Sequence, residues 1–332
     1  MIRHRTAVRV VTLCWLLVWA GQGFSAEPAS KPLKPPSKER KDEFLRLTYD
    51  GKKAPLALET AVVRCVPRDC GKTSPTVDLI AALHVGDKGY YQGLNRRFAT
   101  YDVVLYELVA PKGTKVPAGG DRVKDGHPVS MIQTAMSRFL DLTFQLDVID
   151  YTRPNLVHAD MSPEQLAESM RERGESVWTI LTRMFVYAMT QEDSGSMSEA
   201  RLLAALLNKN RALAVKRVVA EQFRDMEGSI SALEGPKGSA LISGRNQVAI
   251  KELRKAIDAG HRKIAIFYGG GHMSDFQRRL KDDFDLVPIE TQWLVAWDLK
   301  PTPPAKPAKP APEAGPSAKP AQEAGVTGKP SP

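Results

Sequence analysis

Three short apolar segments, each ending at a histidine or a glutamate, constrain the fold of this chain more than any other feature. The segments span 78–84, 102–107 and 263–272 and end at His84, Glu107 and His272. Continuous apolar runs of this length are typical of strands buried on both faces of a parallel sheet. Because parallel strands deliver their carboxyl ends to one edge of a sheet, where ligands bind, we expect the three side chains to meet there.

The segments between these runs predict an α/β fold with a mostly parallel central sheet and flanking helices. A helix at about 88–99 would join the first two strands and place His84 beside Glu107 if those strands are adjacent. A turn at Asp50-Gly51 between two alternating segments predicts an antiparallel hairpin at the start of the domain. Helical spacing of apolar residues over about 128–233 predicts a helical insertion, or cap, between the two halves of the sheet. A helix at about 243–259 would precede the third strand, and a last strand is predicted at 291–298.

Both ends of the chain are predicted to lie outside this domain. Residues 1–26 combine basic residues with an apolar run, as in a secretory signal peptide. Residues 27–43 have the composition of a flexible tether, and residues 300–332 form a Pro, Ala and Lys-rich tail that we expect to be disordered. The folded domain is therefore predicted at 44–299, in a protein that is periplasmic or secreted, and membrane-tethered if the signal is not cleaved.

The net charge of +9 lies mostly in these ends. Three positive charges fall in 1–26, one in 27–43 and three in 300–332, which leaves +2 for the predicted domain. A nearly neutral domain lacks the basic surface that a phosphate backbone requires, so no nucleic-acid partner is predicted. The basic tail could associate weakly with an anionic envelope surface, and a solvated linker is the alternative role.

Two cysteines, Cys65 and Cys70, remain after the predicted signal peptide. An oxidising compartment favours a disulfide between them, which would close a small loop. No second cysteine pair or adjacent histidine accompanies them, so this pair does not predict a zinc site.

The chemistry of the three strand ends has two interpretations. Two imidazoles and one carboxylate can bind a divalent metal such as Mn, Co, Zn or Fe. The same groups can work without metal, with one histidine as general base and Glu107 as its orienting group or as general acid. Other candidates for binding substrate or an oxyanion, each with a structural alternative as a helix cap, ion pair or solvated side chain, are Arg245, Asn246, His158 and Asp160.

Together these motifs resemble the TraB/GumN family, which includes the TIKI metalloproteases and is related to the ChaN/erythromycin-esterase-like group. The family pattern comprises two Gly-x-x-His motifs, a strand-end glutamate after the first and an Arg-Asn pair before the second. The chain has Glu107, Arg245-Asn246 and Gly269-Gly-Gly-His272, and 145–160 also looks similar. The first motif, Ala81-Ala-Leu-His84, has alanine in place of glycine. The resemblance covers about 57–298.

The resemblance implies an α/β fold with both histidine motifs at strand ends. TIKI-like members imply metal-dependent peptide hydrolysis, and erythromycin-esterase-like relatives imply metal-free ester hydrolysis. We therefore expect an exported hydrolase, metal-dependent, that cleaves an acyl bond in a peptide or small-molecule substrate. The alternative is a non-enzymatic or signal-silencing protein that binds a peptide, a pheromone-like ligand or haem in the same pocket, because ChaN-like members bind haem.

Overall fold

A computed structural model of the chain describes residues 44–69, 74–114, 116, 139–176, 195–233 and 238–301. These residues form a mixed sheet of seven strands and a separate two-stranded ladder. In chain order the strands are β1 (Leu45–Tyr49), β2 (Pro55–Pro67), β3 (Thr76–Ala82), β4 (Val85–Gly86), β5 (Val103–Tyr106), β6 (Thr143–Phe144), β7 (Leu156–His158), β8 (Lys263–Gly269) and β9 (Leu286–Asp298). The short strands β4 and β6 form the separate ladder. The prediction of an α/β fold with a mostly parallel central sheet is confirmed at this level.

Four parallel strands, in the order β3-β8-β5-β7, form the centre of the main sheet. Strand β8 lies between β3 and β5, so the strands that precede His84 and Glu107 are not adjacent. This strand order places the glycine-rich end of β8 between the ends of β3 and β5. All four strands end at the same edge of the sheet, as predicted.

Strand β8 is buried on both faces, which explains its uninterrupted apolar sequence. Ala265 and Phe267 face one half of the core, and the edge of the Phe98 ring meets Phe267 with the ring centroids 4.9 Å apart. Ile266 and Tyr268 face the other half, where Phe276 packs on Tyr268. Two apolar layers therefore cover the strand that carries His272 at its end.

The antiparallel part of the sheet is built on the long strand β2. Its first half pairs with β1 through the predicted hairpin, where the Asp50 carboxylate accepts hydrogen bonds from the N–H groups of Lys52 and Ala54. Its second half pairs with β3. Strand β9 runs antiparallel along β2 and starts at Leu286, earlier than the predicted 291.

Seven helices are described, together with a π-helical turn at Ala240–Gly244 and a 3-10 turn at Gly270–His272. The helices are α1 (Lys88–Phe98), α2 (Gln145–Val148), α3 (Pro163–Glu172), α4 (Gly195–Leu206), α5 (Arg211–Leu233), α6 (Arg245–Asp258) and α7 (Met273–Phe284). The predicted helices at 88–99 and 243–259 are confirmed as α1 and α6. The predicted insertion at 128–233 is not wholly helical, because it contains β6 and β7, and β7 belongs to the central sheet. Among the described residues, no helix is long and apolar enough to cross a membrane.

Several predicted features lie outside the described residues. They are the signal segment, the tether, the tail beyond 301, and Cys70. Cys65 is described, and it is a buried free thiol on β2 whose pKa is raised by burial to about 12. The disulfide between the two cysteines therefore stays a prediction.

Helix α3 begins with a reciprocal capping box. The hydroxyl oxygen of Ser162 accepts a hydrogen bond from the N–H of Gln165 at 3.2 Å, and the Gln165 side-chain oxygen accepts one from the N–H of Ser162 at 2.9 Å. Pro163 follows at the first helical position, where its fixed φ suits the helix.

Replacing Ser162 with alanine should lower the free energy of unfolding by about 1 kcal/mol, because a donor in the first turn of α3 loses its acceptor. Urea denaturation of the full chain measures the change. The matched control is Ser274→Ala, at an exposed serine in the first turn of α7, which should change stability by less than about 0.5 kcal/mol. Equal effects of the two substitutions would show that the capping box contributes nothing.

Candidate functional site

Glu107 lies directly after β5 and reaches across to the end of β8. Its Oε2 atom accepts a hydrogen bond of 2.6 Å from the backbone N–H of Gly269. A side chain at position 269 would bring its Cβ atom within 3.4 Å of this oxygen and 3.8 Å of the His272 ring. These are ordinary van der Waals distances, so the approach of the carboxylate to this backbone N–H does not depend on glycine.

The other oxygen of Glu107 binds Arg245, the first residue of α6. Arg245 Nη2 donates to Glu107 Oε1 and to Asp160 Oδ2, each at 2.6 Å, and Arg245 Nε donates to Asp160 Oδ1 at 3.0 Å. Asp160 follows β7, so one guanidinium joins the ends of two strands to the start of a helix. The side chains of Arg245 and Glu107 are only 11% and 10% exposed, and that of Asp160 is fully buried.

Burial and charge oppose each other at Glu107. Burial alone would raise the pKa of the Glu107 carboxyl, but the charge of Arg245 and the Gly269 N–H group hold it well below its usual range. The two carboxylates raise the pKa of Arg245 against the effect of burial. Glu107 is therefore ionised at physiological pH.

The amide of Asn246 fixes the tautomer of His272. Asn246 Nδ2 donates to the backbone oxygen of His272 at 3.1 Å and to Asp275 Oδ2 at 2.9 Å, and both partners can only accept. The Asn246 oxygen therefore faces His272 Nδ1, at 2.6 Å, and accepts its N–H. When the ring is neutral, the proton is on Nδ1 and the lone pair is on Nε2.

His272 is buried and neutral at physiological pH. Burial is the largest of the effects that together lower the pKa of its imidazole to about 4; the charge of Arg245 acts in the same direction and that of Glu107 opposes it. The lone pair of His272 Nε2 faces Glu107 Oε1 at 3.6 Å. Two electron-rich atoms at this separation favour a proton donor or a cation between them, because they repel each other otherwise.

A charged network behind Asn246 supports this arrangement. The Asp275 carboxylate accepts a hydrogen bond from Arg279 at 2.6 Å and also binds Arg278. These contacts and the Asn246 hydrogen bond lower the pKa of Asp275 against the effect of burial. Asp275 lies three residues after His272, in the first turn of α7, and no role was predicted for it. A His-x-x-Asp spacing at a helix start was the signal that could have identified it.

His84 lies at the same sheet edge but remains exposed. Its backbone oxygen accepts the N–H of Gln145 at 2.8 Å, and the indole of Trp297 donates to Val85 O at 2.8 Å, so the loop is fixed on both sides. After the larger effects of burial and of the buried charges, a charge on His84 contributes to the lowered pKa of both Glu107 and His272. Because β3 pairs with β8, His84 follows the strand next to the one that carries His272, although no hydrogen bond or ion pair joins its imidazole to Glu107 or His272.

The structure brings most of the predicted site residues together. Glu107, His272, Arg245, Asn246 and Asp160 form one connected network. His158 is partly buried and its Nε2 atom lies 2.5 Å from Leu108 O, which ties the ring to the backbone next to the network. Asn246, predicted to bind substrate or an oxyanion, is fully buried, and both of its N–H groups are already donated.

Two donor types that divalent metal ions use, an imidazole nitrogen and a carboxylate, are present at this edge. His272 presents Nε2 while its Nδ1–H is donated to a fixed oxygen, which is the usual arrangement of a metal-binding histidine. Glu107 supplies a carboxylate and His84 a second imidazole at the adjacent strand end. Within the described part of the chain, no three His, Cys, Asp or Glu side chains are already arranged as a metal-binding group.

Comparison with known proteins adds no assignment to these observations. No family model, no curated protein and no solved structure matches the chain.

Proposed function

We propose that this chain is a hydrolase of the TraB/GumN type that activates water for attack on a peptide or related acyl bond. One observation carries the proposal: a buried, neutral histidine presents the lone pair of its Nε2 atom to an ionised carboxylate 3.6 Å away. Such a base accepts a proton at neutral pH without first having to lose one.

His272 acts as the general base in this proposal. Its Nε2 atom takes a proton from water, and the N–H that forms then faces the Glu107 carboxylate, which stabilises the imidazolium. Asn246 holds the ring in the required tautomer, and Asp275 holds Asn246. Glu107 is itself fixed by Arg245 and Gly269, so the acceptor of the new N–H is preorganised.

Arg245 is the candidate donor to the developing oxyanion. Its Nε and Nη2 atoms are committed to Glu107 and Asp160, whereas Nη1 makes no hydrogen bond to the described residues. A guanidinium N–H held in place by two carboxylates needs little reorganisation when negative charge appears on a substrate oxygen. In this proposal Asn246 positions His272 and does not contact the substrate.

The proposed metal-binding residues are His84, Glu107 and His272. An ion held there would take the single free lone pair of His272, on Nε2, so His272 would act as general base only in the metal-free site. A divalent ion, when bound there, would polarise the acyl oxygen and lower the pKa of water. The protein would be exported, as the segment at 1–26 predicts. Its substrate would be a peptide or a small molecule with an acyl bond.

A non-enzymatic binding protein for a peptide, a pheromone-like ligand or haem is the second candidate. Both oxygens of Glu107 already accept hydrogen bonds, from Arg245 and from Gly269. A network satisfied in this way can also serve as the rigid, charged wall of a binding pocket, with His84 exposed to the ligand.

The test is the metal content and peptide-hydrolysing activity of the full chain. Wild-type protein, offered Mn, Co or Zn and then desalted, should retain near-stoichiometric metal, and His84→Ala and His272→Gln should each lose it. Both variants should lower hydrolysis of a labelled peptide mixture by about 10²–10⁴-fold. His84 is exposed, so His84→Ala should leave the melting temperature unchanged.

His261→Ala is the matched control, because His261 precedes β8 and lies at the opposite end of that strand from His272. It should leave both metal content and activity unchanged. Metal-free but active protein that depends on His272 and not on His84 would replace the metal-dependent mechanism with acid–base catalysis. Inactive protein that still binds peptide or haem, with the binding weakened by His84→Ala, would favour the second candidate.

A further inference from the structure

A helical hairpin that lies between Asp160 and Arg245 in the sequence exposes leucines at its tip. Helices α4 and α5 are antiparallel neighbours joined by residues 207–210. The exposed leucines at the tip are Leu203, at 64% exposure, Leu206, at 48%, and Leu207, at 89%. Leu203 and Leu206, three residues apart, lie on one side of α4, and Leu207 follows directly in the connection.

The exposure of these leucines is a fixed feature of the hairpin. On the other side of α4, Ala205 is buried and Leu202 packs against the core, which anchors the helix. In the connection, Asn208 Oδ1 accepts the N–H of Asn210 at 2.9 Å, and Asn210 Oδ1 accepts the N–H of Leu213 at the start of α5. The turn is therefore held by its own polar side chains while Leu207 points outward.

The charge around the tip has one sign. Between Arg201 and Ala220 the sequence contains five basic residues and no acidic residue. Lys216 is paired with Asp87, Arg201 with Glu221, and Arg217 donates to the backbone oxygen of Leu299. Lys209 and Arg211 remain exposed beside the leucines.

We propose that this tip, residues 203–211, docks on the surface of an anionic lipid bilayer. Leucines that project from a basic turn suit the lipid interface, because the apolar side chains enter the acyl boundary while lysine and arginine meet the headgroups. A stable protein interface needs about 800 Å² from each partner and about 20 residues a side, and a tip with three exposed leucines is much smaller than that. We therefore assign lipid as the binding partner of the tip. The experiments below also detect binding to a protein or to a second copy of the chain.

Vesicle partitioning of the full chain tests the proposal. With vesicles of phosphatidylcholine and about one third phosphatidylglycerol, changing all three leucines to glutamine should weaken partitioning at least about tenfold. The reversal Lys209→Glu with Arg211→Glu should weaken it by a similar factor, and added salt should weaken wild-type binding. The control is Ile289→Gln with Val295→Gln, which removes two exposed apolar side chains from β9 and should have no effect.

A position-specific measurement separates the tip from the N-terminal segment, which is common to all variants. A fluorophore on Leu207→Cys should be quenched by lipid-bound nitroxide, and one on Ile289→Cys should not. The native cysteines are the same in both variants, so any label on them contributes equally to the two measurements. Unchanged partitioning of the triple glutamine variant, together with equal quenching at the two positions, would overturn the proposal. A change of oligomeric state in the absence of lipid, with no change in partitioning, would instead assign the tip to contacts between copies.

Discussion

Replacing Arg245 with methionine should lower the free energy of unfolding at pH 7 by about 3–5 kcal/mol, measured by urea denaturation of the full chain. The guanidinium is the shared partner of Glu107 and Asp160, and all three side chains are largely buried. Methionine fills similar space but leaves two carboxylates in a low-dielectric environment without a counter-ion. The matched control is Arg68→Met, because Arg68 pairs with Asp285 at 3.0 Å at the surface, where such pairs contribute less than about 1 kcal/mol.

The loss should depend on pH in a direction that identifies its cause. In the wild type the pKa of Glu107 is held low, so this carboxyl does not titrate between pH 7 and 5. Without Arg245, burial and the neighbouring carboxylate would raise its pKa above the unfolded value, and the folded variant would take up a proton as the pH falls. The deficit should therefore shrink from pH 7 to pH 5. A deficit below about 1 kcal/mol, or one that is equal at both pH values, would contradict this account.

Arg245, Glu107 and Asp160 are expected to become buried together when the chain folds, because each needs the charge of the others. Arg245 begins a helix that follows a π-helical turn, Glu107 ends one strand, and Asp160 follows another. Each of these side chains would be an unpaired buried charge without the others. The geometry that fixes His272 therefore depends on the same packing that holds the sheet edge together, which couples stability to the candidate site.

Sequence analysis predicted the strand ends well because their signal is local. The apolar runs before His84, Glu107 and His272 are short and nearly continuous, which is typical of strands buried on both faces of a parallel sheet. The order of the strands depends on packing between distant segments, so the position of β8 between β3 and β5 could not be predicted. Strand β7 was missed because it has only three residues, Leu156–His158, within a region of helical periodicity.

The roles within the site required the structure for a similar reason. The hydrogen bonds from Arg245 to Asp160 join residues 85 positions apart, and no sequence spacing indicates such a pair. An Arg-Asn pair at a helix start suggested two donors to a ligand. In the structure the two side chains point in different directions: Arg245 binds the carboxylates, and Asn246 binds His272. This division follows from the helix, because adjacent residues are about 100° apart around its axis.

The metal-free protein should become less stable as the pH falls from 7 to 5, and His272 should account for roughly 2 kcal/mol of that loss. The pKa of the folded imidazole is lowered to about 4, whereas the unfolded chain has the ordinary value of 6.5. Between these values the unfolded state binds one more proton than the folded state, so the free energy of unfolding rises with pH. The contribution of His272 is full above the unfolded pKa, falls as the pH drops below it, and stops changing below the folded pKa.

The measurement compares wild type with His272→Gln by urea denaturation at pH 7, 6 and 5 in the presence of a chelator. Glutamine cannot titrate, so subtracting its curve removes the contributions of the other histidines and of the carboxylates. The free energy of unfolding of the wild type minus that of His272→Gln should hardly change with pH above pH 7. Near pH 5 the slope of this difference should approach about 1.4 kcal/mol per pH unit. A flat difference across the range would mean that His272 takes up a proton in the folded state as readily as in the unfolded chain. In that case the neutral, buried base on which the proposed chemistry depends would not exist.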